Sequence, residues 1–261
     1  MRIKLILAYD GTNYGGYQSQ TNTTAVQDVL ERAIGDLFKE KIRTMGASRT
    51  DTGVHAEGNV ACFDVETRIA PGKIAFALNA RLPEDIRVLD SAEVPADFHP
   101  RFQRTVKTYE YRIINRTFPD PLTRHFEFHY YYALDAEKMN EAAQYILGEH
   151  DFASFAASGF SSKTTVRTII DAKVFREGDR ITFRVTGNGF LYNMVRILAG
   201  TLIEIGAGKY PPEKMKDILA ARDRGAAGPT AVAKGLVLKK IVYPDAGQAN
   251  SESASPTEPT M

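Results

Sequence analysis

The chain has one cysteine, no tryptophan, almost no net charge and no long apolar run. A single cysteine, Cys62, rules out an internal disulfide framework and a multi-cysteine zinc site, and reads as a small core residue. The apolar start, LILA at 5–8, runs straight into Tyr9-Asp10-Gly11. That is too short for a signal peptide or a membrane span, so a cytoplasmic protein with no membrane partner is expected. A formal charge of +1 argues only weakly for a polyanionic partner. What is present is ordinary for a folded chain: 261 residues, 43% apolar and 25% charged, enough for one large domain or two smaller ones.

Charge is more informative locally than in total. The last sixteen residues carry Glu252 and Glu258 and no Lys or Arg, so residues 1–245 hold 33 basic against 30 acidic side chains. HPRFQRTVKTYEYRIINR (99–116) sets Arg101, Arg104, Lys107, Arg112 and Arg116 against Glu110 alone, with aromatics between them. Such a run fits a phosphate-tracking surface, or a solvated strand face with an excess of base.

Periodicity predicts the order of elements. A strand over 2–11 leads through a Gly/Asn/Tyr-rich loop to a helix, with Thr24 and Gln27 as a capping box and Val26, Val29, Leu30, Ala33, Ile34 and Leu37 as its apolar stripe. Strands near 42–48 and 57–66, a helix near 71–80 and a strand near 86–94 follow. The second half reads as strands over 105–115 and 125–133, then a helix capped by Asp135 with Met139, Ala142, Ala143, Ile146 and Leu147 on one face, stopped by Gly148. A hairpin over 168–187, an apolar helix over 190–206, a helix opened by Pro212 and a strand over 235–244 complete it. The expected fold class is α+β, with two similar ferredoxin-like halves, 1–103 and 104–245, whose antiparallel sheets flank a central active-site cleft, and a disordered tail, 246–261.

Several motifs fail on inspection. In HFEFH, His125, Glu127 and His129 alternate with Phe126 and Phe128, a period of two that lacks helical zinc-site spacing. Gly208-Lys209 resembles the end of a phosphate loop, but Ile203 and Tyr210 occupy positions that need glycine and Ser/Thr. Gly187-Asn188-Gly189 lacks the third glycine of a dinucleotide fingerprint. No metal site and no nucleotide cofactor are expected.

Two features remain. Arg196 sits within an apolar helix, where it either meets a buried partner or snorkels to water. Asp51, in GASRTDTGVHA (46–56), is either an ordinary Asp-x-Gly turn residue or a reactive carboxylate at a strand end. Together they make a coherent site, because an arginine keeps a desolvated carboxylate ionised.

SRTDTGVHA resembles the catalytic segment of the tRNA pseudouridine synthase A (TruA) family, usually GRTDxGVHA. The likeness continues in family order through YDGTNYGGYQSQ (9–20), LNARLPEDI (78–86), DFHPRF (97–102), KTYEYRI (107–113), LGEHDFASF (147–155), FLYNMVRILAG (190–200) and AVAKGLVL (231–238), covering about residues 1–244. Ser48 replaces the usual glycine and Tyr17 a common tryptophan; the tail lies outside the pattern. The resemblance implies a homodimeric isomerase that converts uridine to pseudouridine in the tRNA anticodon stem-loop without metal or organic cofactor. One tRNA would contact both subunits across a cleft between the halves. Asp51 matches the nucleophile, Arg196 its ion-pair partner and Tyr109 the tyrosine packed on the target base. Arg49 matches an RNA contact, with Arg101, Arg104 and Lys107 on phosphates. Rival classes are a non-catalytic RNA-binding protein, in which Asp51 is dispensable, and a glycosidase, which needs a second acid.

Overall fold

The computed structural model describes residues 1–157, 159 and 163–244. The N-terminal part contains β1 (Arg2–Tyr9), α1 (Val26–Phe38), β2 (Met45–Gly46), β3 (His55–Asp64), α2 (Ile74–Asn79) and β4 (Ile86–Val94). Then come β5 (Val106–Asn115), β6 (Phe128–Tyr130), α3 (Ala136–Gln144), β7 (Gly148–Asp151), β8 (Val166–Glu177) and β9 (Arg180–Gly187). The last elements are α4 (Met194–Gly206), α5 (Lys214–Ala221) and β10 (Leu236–Val242). The class is α+β. The expected tail, 246–261, lies outside the described residues.

β1 alternates as its sequence requires: Ile3, Leu5 and Leu7 are fully buried and share a core with Val26, Leu30 and Ile34 of α1. Cys62 is buried on β3. The start of α1 differs from the expected capping box. Ala25 is the N-cap, and Asp28 accepts the Ala25 N–H at 2.9 Å. Gln27 instead accepts the Ser19 N–H and donates to the Thr44 carbonyl, tying the preceding loop to the approach to β2. In α3, Asp135 Oδ1 accepts from the N–H groups of Glu137 and Lys138, as its position predicts. The helix ends at Gln144, so Leu147 no longer follows helical spacing and is exposed. Gly148 takes φ +92°, the left-handed turn that a helix end favours.

Two predicted strands shrink. Of 42–48, only Met45–Gly46 pairs with β3, and the chain then leaves the sheet. Of 125–133, only Phe128–Tyr130 pairs, in parallel with β5. A turn closed by Phe126 N–H on the Thr123 carbonyl precedes it, and Glu127 is pulled inward to Arg180 and Thr123. The helix expected to open at Pro212 begins two residues later, at Lys214. The apolar helix begins at Met194 rather than 190, because Asn193 takes φ +59° and cannot continue a right-handed turn backwards. Along α4, Gly200 is obligatory: a Cβ there would lie 1.8 Å from the Pro229 carbonyl oxygen.

The ten strands of the described residues join one mixed sheet rather than separate antiparallel sheets, ordered β4-β1-β3-β10-β5-β9-β8-β7, with β2 added to β3 and β6 to β5. β10 is the joint. It runs parallel to β3 (Val237 opposite His55) and antiparallel to β5 (Leu236 opposite Tyr111). The strands of the two expected halves thus lie in a continuous sheet, and pairing β10 with β3 removes an edge that either half alone would expose.

Candidate active site

Between β2 and β3 the chain makes the loop that carries Asp51. Exposure alternates along it: Ser48 and Thr50 are buried, whereas Arg49 is exposed and Asp51 partly so. The buried side is held by a polar network. Thr50 Oγ1 and the Tyr9 hydroxyl are 2.7 Å apart. Asn59 Nδ2 donates to the Tyr9 hydroxyl and to the Ser48 carbonyl, each at 3.1 Å. Gly16, at φ +94°, lets the N-terminal loop approach so closely that a Cβ would meet the Thr50 carbonyl oxygen at 2.5 Å. Beyond Asp51, Gly53 takes φ +74° and the Val54 N–H closes a turn on the Asp51 carbonyl. Asp51 is therefore both a turn residue and a carboxylate presented to a cavity.

Arg196, 145 residues later, does not snorkel to water. Its Nη1 lies 3.4 Å from Asp51 Oδ2, and both side chains are only 18% exposed. Nε donates to the Ala231 carbonyl at 2.7 Å and Nη1 to Asn193 Oδ1 at 2.9 Å, so the guanidinium is aimed rather than loosely placed. Burial raises the Asp51 pKa, and the Arg196 charge and hydrogen bond oppose that rise without cancelling it. The expectation that Arg196 lowers the Asp51 pKa holds for its own contribution; desolvation is larger.

Tyr109, on β5, is buried with its hydroxyl 2.8 Å from Ser48 Oγ and its ring edge-on to Phe190 at 5.2 Å. Burial pushes its hydroxyl up to about 12; the Ser48 bond works against this and the Asp51 charge with it. The departure at position 48 thus has a structural consequence, since glycine has no hydroxyl for Tyr109. Tyr17, the other departure, is buried against Gly46, where any Cβ would strike its ring.

Asp51, Ser48 and Tyr109 line a cavity of about 430 Å³ together with Arg49, Arg101, Lys107 and Phe190, whereas Arg196 is not among its lining residues. Arg101 Nη2 donates to the Gly46 carbonyl at 3.2 Å and Lys107 Nζ to the Ala47 carbonyl at 2.9 Å, so both cations grip the chain where it leaves β2 for the Asp51 loop. Burial, with help from the Arg101 charge, lowers the Lys107 pKa to about 8. Arg49 and Arg104 make no hydrogen bond or ion pair among the described residues, and Arg104 is not among those lining the cavity. No three His, Cys, Asp or Glu side chains converge on a metal-sized site among the described residues. Nor is any helix among them long and apolar enough to cross a membrane. Sequence reasoning missed Tyr9, Asn59 and Phe190. The first two sit on alternating strands as unremarkable polar positions, whereas Phe190 opens the apolar run that carries Arg196 and was legible as its neighbour.

Residues 5–103 and 142–244 match the family model described as tRNA pseudouridine synthase. The chain belongs to that family. A tRNA pseudouridine synthase A of Acetivibrio thermocellus is 49% identical over 241 residues, covering 92% of this chain and 99% of the relative. The Halalkalibacterium halodurans protein of the same name is 45% identical over 256 residues, covering 98% and 97%, and that of Clostridium acetobutylicum 46% identical over 241 residues. The likeness is to pseudouridine synthase A proteins along nearly their whole length, and with it the chain is an isomerase. Asp51 and Arg196 each fall within a matched segment of the pseudouridine synthase model, whereas Tyr109 lies between them.

Proposed function

We propose that Asp51 is the nucleophile that isomerises uridine to pseudouridine in the tRNA anticodon stem-loop, at positions 38 to 40. The observation that carries this is the Asp51–Arg196 pair, two groups far apart in sequence and joined at 3.4 Å beside a cavity of nucleotide size. The carboxylate adds to the flipped nucleotide, at ribose C1′ or uracil C6, and the N1–C1′ bond breaks. The uracil turns and C5 bonds to C1′. The C5 proton then leaves to solvent, N1 gains a proton, and the carboxylate is released unchanged. Extracting the base costs a few kcal/mol, and stacking on Tyr109 returns about 1–3 kcal/mol. Arg49, exposed at the rim and without a hydrogen-bond or ion-pair partner among the described residues, supplies a further hold on the flipped state; Arg101, Arg104 and Lys107 hold phosphates.

The active unit in this reading is a cytoplasmic homodimer without cofactor, each chain having halves 1–103 and 104–245 about a central cleft, with one tRNA reaching both subunits. The break of the family match at residue 103 supports that division. The test uses anticodon-arm tRNA tritiated at uridine C5. Native protein should release label and Asp51→Ala should not; binding of tRNA without release by either would leave an RNA-binding protein instead.

A further inference from the structure

Exposed phenylalanine is costly, and Phe102 is 80% exposed on the turn that follows β4. It is not loose. Its ring stacks on His99 with centroids 4.1 Å apart and planes 25° from parallel. The turn beneath is pinned at several points. Arg2 Nη1 donates to the Phe98 carbonyl and the Tyr243 hydroxyl to the Pro100 carbonyl, each at 2.9 Å. The Arg101 N–H donates to His99 Nδ1 at 3.2 Å, and Phe98 is buried against the Tyr243 ring. A fixed aromatic ring with one face covered and the other open is a stacking platform already paid for in entropy.

Its neighbours name the occupant. Arg101, the preceding residue, lines the cavity beside Arg49 and Lys107, and Arg104 lies two residues on. No carboxylate pairs with any of these four cations among the described residues. An open aromatic face within a patch of uncompensated positive charge suits a base whose backbone is anionic, rather than an apolar peptide. We propose that Phe102, backed by His99, is the seat for an unpaired RNA base adjoining the nucleotide drawn into the cavity. The seat rests on the pseudouridine synthase reading and adds a second base contact outside the reacting one.

The experiment uses the full chain and an anticodon stem-loop RNA carrying 2-aminopurine singly at each unpaired loop position. One position should be quenched on binding by the native protein and not by Phe102→Ala. Phe102→Ala should also weaken stem-loop binding about fivefold or more, with Phe102→Tyr close to native and binding of a fully paired duplex unchanged. Its melting temperature should not move, since the ring is on the surface. Equal affinity of Phe102→Ala and native protein for the stem-loop, or quenching that survives the substitution, overturns the seat. Tritium release by the native protein, measured alongside, separates this from the catalytic reading. Release with no Phe102 effect removes the seat alone, and a Phe102-dependent quench without release removes the chemistry alone.

Discussion

Replacing Arg196 with methionine removes one charge from beside Asp51 and keeps most of the side-chain volume. At 3.4 Å the Coulomb attraction is about 1 kcal/mol in bulk water and about 5 kcal/mol at an effective dielectric of 20. With both side chains 18% exposed the pair lies between these limits. That range brackets the ~1–3 pKa units, about 1.4–4 kcal/mol, by which an arginine ordinarily lowers a neighbouring carboxylate. The sign follows directly. Burial already holds the Asp51 pKa above its ordinary value, and without the guanidinium it climbs further. Less of Asp51 is then ionised at a given pH, so with Asp51 as the proposed nucleophile the acid limb of the rate profile moves to higher pH by ~1–3 units. Single-turnover tritium release across pH 5 to 9 measures this, with Arg196→Lys, which retains the charge, expected to shift much less. The variant also loses the bonds to the Ala231 carbonyl and Asn193, so a lower melting temperature accompanies it and is not the test. A methionine variant that is slow at every pH with an unmoved acid limb refutes the electrostatic role and leaves Arg196 a packing residue.

Tyr9→Phe takes away one oxygen and leaves Thr50 Oγ1 and Asn59 Nδ2 each short of a buried partner. A loss of about 1–3 kcal/mol in unfolding free energy is expected, with slower isomerisation because the Asp51 loop is less firmly held; chemical denaturation and rate together check it. Lys107, with its pKa at about 8, loses charge as pH rises through that value, so tRNA affinity should weaken between pH 7 and 9. Lys107→Arg should flatten the dependence in a filter-binding titration, and an unchanged slope would remove Lys107 from the phosphate contacts.

Much of the fold was legible where one pattern acts alone. β1, the β8–β9 hairpin and the Asp135 cap follow from alternation, turn chemistry and a single side chain. It failed where a distant partner decides. Residues 125–127 alternate like a strand, yet Glu127 is drawn to Arg180, 53 residues away, and pairing starts only at Phe128. Asn193 in the left-handed region shortens α4; asparagine tolerates that conformation better than other side chains, but the apolar run around it reads as continuous helix. At the site, Asp51 and Arg196 could be read from their segments, and their meeting was a reasonable expectation. The clamp behind them was not readable: Tyr9, Asn59 and Thr50 are hydrogen-bonded across 41 and 50 residues, and each looks ordinary in its own strand or loop.

The position of β10 has a consequence for how the molecule is made. It is the last strand of the described residues to leave the ribosome, yet it occupies the middle of the sheet, and Lys239 midway along it pairs with Glu57, 182 residues earlier. Before it arrives, β3 and β5 each present an open edge, and Leu236 is missing from the cavity wall. Until it pairs, the strands on either side of it are unjoined, with two edges open to other chains and one wall of the cavity incomplete. Closure is the insertion of one late strand between two early ones, a non-local pairing of the kind that slows folding.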